Sequence, residues 1–141
     1  MTIWQTPITL ESLHERNQGS MSDFLDIRFT EIGDDYLKAI MPVQSKTHQA
    51  IGIMHGGASC VLAETVASVA ANYVVDINTH YCVGLDINTN HIRPIKQGYV
   101  EANAQPYHIG RSTQVWSIEI RDKDKQKLIS VSRLTVAVIA R

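Results

Sequence analysis

The sequence predicts an α+β domain in which a curved sheet of five or six mainly antiparallel strands wraps one long buried helix. Three observations carry this. Gly57–Val75 is the one long helical run, and its Ala58, Ala63, Ala67, Ala70 and Ala71 let neighbouring backbone come close. Four strand-like runs follow it, the last of them long and rich in β-branched residues. Turn signals at Gly33–Asp34–Asp35 and Asp122–Lys127 join successive strands as hairpins. At 141 residues the chain reads as one domain, 1–141, with enough length for a real core.

The elements follow in order. Thr9–Asn17 reads as a short helix with Thr9 as N-cap and Leu10 and Leu13 on one face. Phe24–Phe29 and Tyr36–Val43 read as strands on either side of the 33–35 turn. After the long helix come Tyr81–Arg93, Gly98–His108, Thr113–Arg121 and Leu128–Ala140, with Asp122–Lys127 as a charged, solvated hairpin tip. Strands so long and β-branched make an exposed edge a liability, and pairing edge to edge in a dimer removes it.

Composition excludes several classes. Hydrophobic content of 44% is ordinary for a globular protein, and a net charge of −1 leaves no electrostatic footprint for nucleic acid. No apolar stretch is long enough to span a bilayer, and residues 1–10 carry no secretory pattern, so no membrane partner is expected. Cys60 and Cys82 read as small buried thiols in a reducing compartment, which gives a cytoplasmic expectation. None of the six histidines forms a paired ligand motif, so no metal site is expected.

The chemistry concentrates in Gly52–Ile53–Met54–His55–Gly56–Gly57–Ala58–Ser59, followed by Glu64. Glycines at a helix entrance let a substrate approach the backbone. The free N–H groups there, aided by the helix dipole, can stabilise a developing oxyanion. Glu64 lies in an otherwise apolar run, Ala58–Ala71, where a carboxylate is costly without a task or a partner. Gly56 and Glu64 are eight residues apart on one helix, so their backbones are separated by roughly 12 Å. An activated water must sit about 3 Å from the carbonyl it attacks. Two antiparallel copies of the helix would bring Glu64 of one subunit beside the helix N-terminus of the other, so the spacing predicts a composite site at a two-fold interface.

Arg93, Lys96 and Arg111 are candidate phosphate partners, arginine being best suited to bidentate contacts. His91 and Arg93 occupy alternate positions of a strand and share a face that Pro94 ends. No Gly-x-Ser-x-Gly elbow is present, since Ser59 follows Gly-Gly-Ala.

The chain resembles the hotdog-fold acyl-CoA thioesterases, in the branch of the Arthrobacter-type 4-hydroxybenzoyl-CoA thioesterase. The likeness runs nearly end to end. It includes Phe24–Phe29, Ile32–Asp35, Met41–Val43, Gln49, His55–Ser59, Leu62–Thr65, Ser68–Ala70, Val83–Asn88, Asn90–His91, Gly110–Arg111, Gln114–Trp116 and Ser132–Thr135. The resemblance implies a hotdog fold and hydrolysis of an aryl- or acyl-CoA thioester, such as 1,4-dihydroxy-2-naphthoyl-CoA, or of an aryl carrier-protein thioester. It implies no cofactor, coenzyme A being part of the substrate. It also implies a homodimer paired into a homotetramer.

Residue by residue, Glu64 matches the catalytic carboxylate, acting as general base or nucleophile. Gly56 matches the N–H that polarises the thioester carbonyl, and Gln49 and His55 match side chains lining the reacting group. Ser68 matches a residue that helps place substrate or water. Gly84, the segment His91, Ile92, Arg93, Pro94 and the loop His108, Ile109, Gly110, Arg111, Ser112, Thr113 match the stretches that hold coenzyme A. A non-catalytic acyl-CoA-binding hotdog protein is the alternative, and a dehydratase or hydratase on the same fold is weaker. The retained Glu64 favours chemistry.

Overall fold

The computed structural model describes all 141 residues. Its elements are α1 (Leu10–Asn17), α2 (Met21–Phe24), β1 (Arg28–Ile32), β2 (Leu37–Val43), a 3₁₀ turn (Ser45–Thr47), α3 (Gly56–Val74), β3 (His80–His91), β4 (Gly98–Ile109), β5 (Thr113–Asp122) and β6 (Leu128–Ala140). The strands form one antiparallel sheet in the order β1-β2-β4-β5-β6-β3. Helix α3 packs on strands β2 to β6, so the hotdog architecture expected from the sequence is the one observed.

Alternation builds the sheet. Along β2, Leu37, Ala39, Met41 and Val43 are buried and the residues between them are partly exposed. Along β6, Leu134 and Val136 point into the same core. Ala63, Ala67, Ala70 and Ala71 of α3 are fully buried, and their small side chains bring the helix close to the sheet. Trp116 of β5 is fully buried in the same core.

A buried polar knot fixes the far half of α3. The Cys82 N–H donates to Asn72 Oδ1 at 2.9 Å, and Asn72 Nδ2 donates to the Cys82 carbonyl at 3.3 Å. Trp116 Nε1 donates to Gln114 Oε1 at 2.8 Å, and Gln114 Nε2 reaches the Ala71 carbonyl. Strand β3 is a sheet edge. Asn72 satisfies the edge-facing backbone of Cys82, whereas Val83 and Leu85 just beyond it are 40% and 61% exposed.

One expectation is corrected. The strand expected over Phe24–Phe29 begins only at Arg28. Residues 21–24 instead form a helical turn, where Ser20 Oγ accepts the Asp23 N–H at 3.2 Å. Asp26 then takes a positive φ of 59°, which interrupts any extended run. Leu25 and Ile27 are buried, so the apolar pattern reported burial and not strand geometry. Other boundaries differ by one or two residues: α3 starts at Gly56 and ends at Val74, and β3 runs from His80 to His91.

Candidate active site

The site grows from the first turn of α3. His55 is its N-cap, with extended backbone, and its Nδ1 accepts the Gly57 N–H at 2.7 Å. The His55 N–H is held by the Thr47 carbonyl at 2.7 Å, and the Ala58 N–H donates to the His55 carbonyl. Gly57 and Ala58 are therefore satisfied, and the Gly56 N–H is left without an acceptor. A Cβ at 56 would lie 2.9 Å from Cε1 and Nε2 of His91, so a larger residue there has to displace that ring. The imidazole at the end of β3 thus covers this backbone.

Two loops complete the cavity. In the first, the Gln49 N–H donates to Ile53 O and the Gly52 N–H to Gln49 O, with Gly52 at φ +84°. Gln49 Oε1 accepts the Ile51 N–H at 2.6 Å, so its Nε2 remains as a donor. In the second, the Ile92 and Arg93 N–H groups share the Ile129 carbonyl, and the Met54 N–H donates to Ile95 O. Between these loops lies a cavity of about 410 Å³ lined by Gln49, Gly56, Ser59, His91, Ile92, Arg93 and Pro94, with Ile53, Met54, Ile95 and Ile129 as its apolar wall.

Glu64 is not among those lining residues. It is half-buried two turns further along the unbroken α3, roughly 12 Å from Gly56. Its Oε1 lies against Gly84, where a Cβ would stand 2.9 Å away. No hydrogen bond or ion pair engages its carboxylate; the four ion pairs of the chain lie elsewhere, among Glu31, Lys38, Asp26, Lys46, Glu119, Arg121, Glu101 and Lys123. Ser68 is half-buried one turn beyond, so Glu64, Ser68 and Gly84 form a second group.

The loop after β4 forms a third. Its turn is closed by the Gly110 N–H donating to Thr113 O at 2.9 Å, with the His108 ring packed over Gly110. Strand β4 carries Gly98 at one end and Ile109 at the other, about 36 Å apart at strand rise. Arg111 is therefore remote from Arg93 within one chain, while Arg93 and Lys96 share one cavity.

The sequence places Met54 and Ser59 in the glycine-turn segment without giving either a role, and it does not mark Ile95 and Ile129 as cavity wall. Ile129 arrives from β6 and Ile95 from a loop, and no local pattern links them to Gly56. His55 as the cap was hidden as well, because the helix expected from Gly57 begins one residue earlier, at Gly56.

The family model of the thioesterase superfamily matches residues 51–129. The chain is 50% identical to the 1,4-dihydroxy-2-naphthoyl-CoA hydrolase of Escherichia coli K12 over 137 residues, covering 97% of this chain and 99% of that one. It is 42% identical to proofreading thioesterase EntH of Cronobacter sakazakii over 137 residues, covering 97% and 98%. Among solved structures, a mutant thioesterase of Pseudomonas aeruginosa superposes with a TM-score of 0.97 at 43% identity, covering 99% of this chain and 100% of that one. A thioesterase of Haemophilus influenzae superposes with a TM-score of 0.95 at 42% identity, covering 99% and 96%.

Proposed function

The chain belongs to the thioesterase superfamily and is a thioester hydrolase, and from that premise we propose that it cleaves an aryl- or acyl-CoA thioester at a site shared between two subunits. The observation that carries the reading is the Gly56 N–H, unpartnered at the head of a 19-residue helix and lining the cavity beside Gln49 and His91. A thioester carbonyl held there has its developing negative charge met by that N–H and by the helix dipole. Glu64 activates a water, or itself attacks, and the thiol of coenzyme A leaves with a proton. Gln49 Nε2 and the His91 ring orient the reacting group.

Two contacts support sharing. Glu64 lies against Gly84 and Gly56 against His91, at separate points of one edge strand. If two β3 edges pair antiparallel with Gly84 facing His91 of the partner subunit, Glu64 comes beside Gly56 of the partner subunit. The two-fold then crosses β3 near Ile87–Asn88 and α3 at Cys60. Those two points are neighbours in the fold, since Cys60 Sγ reaches Thr89 Oγ1 at 3.4 Å. The exposed Val83 and Leu85 would be covered by such pairing. In this reading the dimers pair further into a tetramer, as the family resemblance implies.

The acyl group is read as aromatic, by likeness to the 1,4-dihydroxy-2-naphthoyl-CoA hydrolase. No helix is long and apolar enough to cross a membrane, and both cysteines are unpaired. These facts support a cytoplasmic setting. The test is release of free coenzyme A, followed with a thiol reagent, from benzoyl-CoA, naphthoyl-CoA, short and long aliphatic acyl-CoA and an aryl carrier protein. Preference for an aliphatic chain would overturn the aromatic assignment.

A further inference from the structure

We infer that the β5–β6 hairpin, through Lys125 and Lys127, forms a phosphate-binding bowl that selects the nucleotide end of a coenzyme A thioester. The inference rests on the acyl-CoA reading above. By sequence Asp122–Lys127 is a charged, solvated hairpin tip. In the fold it stands across from the loop between β3 and β4 and encloses a cavity of about 730 Å³ lined by Arg93, Lys96, Lys125, Lys127 and two aspartates.

Continuity gives this bowl a role. It shares Arg93, Pro94, Ile95 and Ile129 with the cavity that holds the Gly56 N–H. One trough therefore carries a carbonyl-polarising donor at one end and a ring of cations at the other. A substrate with a thioester at one end and several phosphates at the other has this polarity.

The charges are available. None of Arg93, Lys96, Lys125 and Lys127 is in an ion pair, whereas Lys123, which does not line the bowl, is paired with Glu101 at 3.2 Å. Asp122 Oδ1 is occupied by the N–H groups of Asp124 and Lys125 in the turn. Asp124 is the remaining opposing carboxylate, so the lining sums to four cations against two anions. Both walls are anchored. Arg93 Nη1 donates to the Leu128 carbonyl at 2.9 Å, which ties loop to hairpin. His48 Nε2 meets the Lys96 carbonyl at 2.8 Å, and the Lys123 N–H donates to Tyr99 O. A fixed bowl of dispersed cations suits a pyrophosphate plus a further phosphate better than the single phosphodiester of a carrier-protein arm.

The test compares Lys125→Ala/Lys127→Ala with the parent protein on benzoyl-CoA, benzoyl-pantetheine and a benzoyl carrier protein. Turnover of benzoyl-CoA by the parent checks the acyl-CoA reading by itself. The double variant should raise KM for benzoyl-CoA about 10-fold with kcat within about two-fold, because a remote contact serves ground and transition states alike. KM for benzoyl-pantetheine should not move. Asp124→Asn should lower KM for benzoyl-CoA, and both effects should shrink at 0.5 M salt. An unchanged KM for benzoyl-CoA, or an equal rise on the pantetheine ester, overturns the proposal. A rise confined to the carrier protein also overturns it and makes the hairpin a protein-docking element.

Discussion

Glu64 Oε1 rests on the bare Cα of Gly84, so close that a methyl group at 84 would lie 2.9 Å from it. The edge strand thus sets the position of the one carboxylate on the long helix. Gly84 has no positive φ, so alanine costs nothing in backbone strain. The clash falls on the end of a flexible side chain, which can swing aside. Gly84→Ala should therefore keep the melting temperature within a few degrees while lowering kcat by roughly 10- to 100-fold, as expected for a displaced catalytic group. Unchanged turnover would separate this contact from catalysis.

Glu64→Gln removes the base and the nucleophile while keeping size and polarity. Hydrolysis should fall at least about 10²-fold, with acyl-CoA binding retained by calorimetry. Turnover within a few-fold of the parent would remove Glu64 from the reaction.

Sharing of the site is tested by mixing two dead proteins. Gly56→Pro deletes the polarising N–H. Proline is tolerated at the first helical position, and His55 already holds the extended ψ of 134° that precedes proline; the His91 ring has to move aside. Combined with Glu64→Gln by subunit exchange, each heterodimer has one doubly defective site and one intact site. Activity should return toward half the parent value per heterodimer. Heterodimers that form and stay inactive would place both groups in one subunit.

Asn72→Ala removes both bonds to the Cys82 backbone. The edge-facing N–H and carbonyl of Cys82 then lose their partners, so the loss should be about 2–3 kcal/mol in urea unfolding. A loss below about 0.5 kcal/mol would mean that water replaces the side chain.

Burial pushes the Cys82 thiol up to about 11 from an ordinary 9.0. The folded state favours the neutral thiol, so this contribution is complete below about pH 9. It is lost as pH rises from there through about 11, where the unfolded chain gains a thiolate that the fold resists. Native protein at pH 8 should leave Cys82 unmodified by an alkylating reagent, with reaction appearing only after denaturation. Native labelling at Cys82, mapped by mass spectrometry, would contradict the buried placement.

The sequence by itself determined the periodic elements and the chemistry anchored to one element. The long small-residue helix, the late strands and the Gly-Gly entrance followed by Glu64 are local patterns, and local backbone preference with alternating burial suffices to write them. The eight-residue spacing already separated Gly56 from Glu64, because helix rise is fixed by hydrogen bonding. Phe24–Ile27 shows the limit: its apolar side chains are buried, yet the capping at Ser20 and the positive φ of Asp26 turn the chain away from a strand. Tertiary structure alone decided that His91 covers Gly56, that Gly84 seats Glu64 and that Ile129 and Ile95 wall the cavity. It alone folded Lys125 and Lys127 toward Arg93. Each of these contacts joins residues from separate elements, and their meeting depends on sheet order and register, which the residues near either partner do not encode.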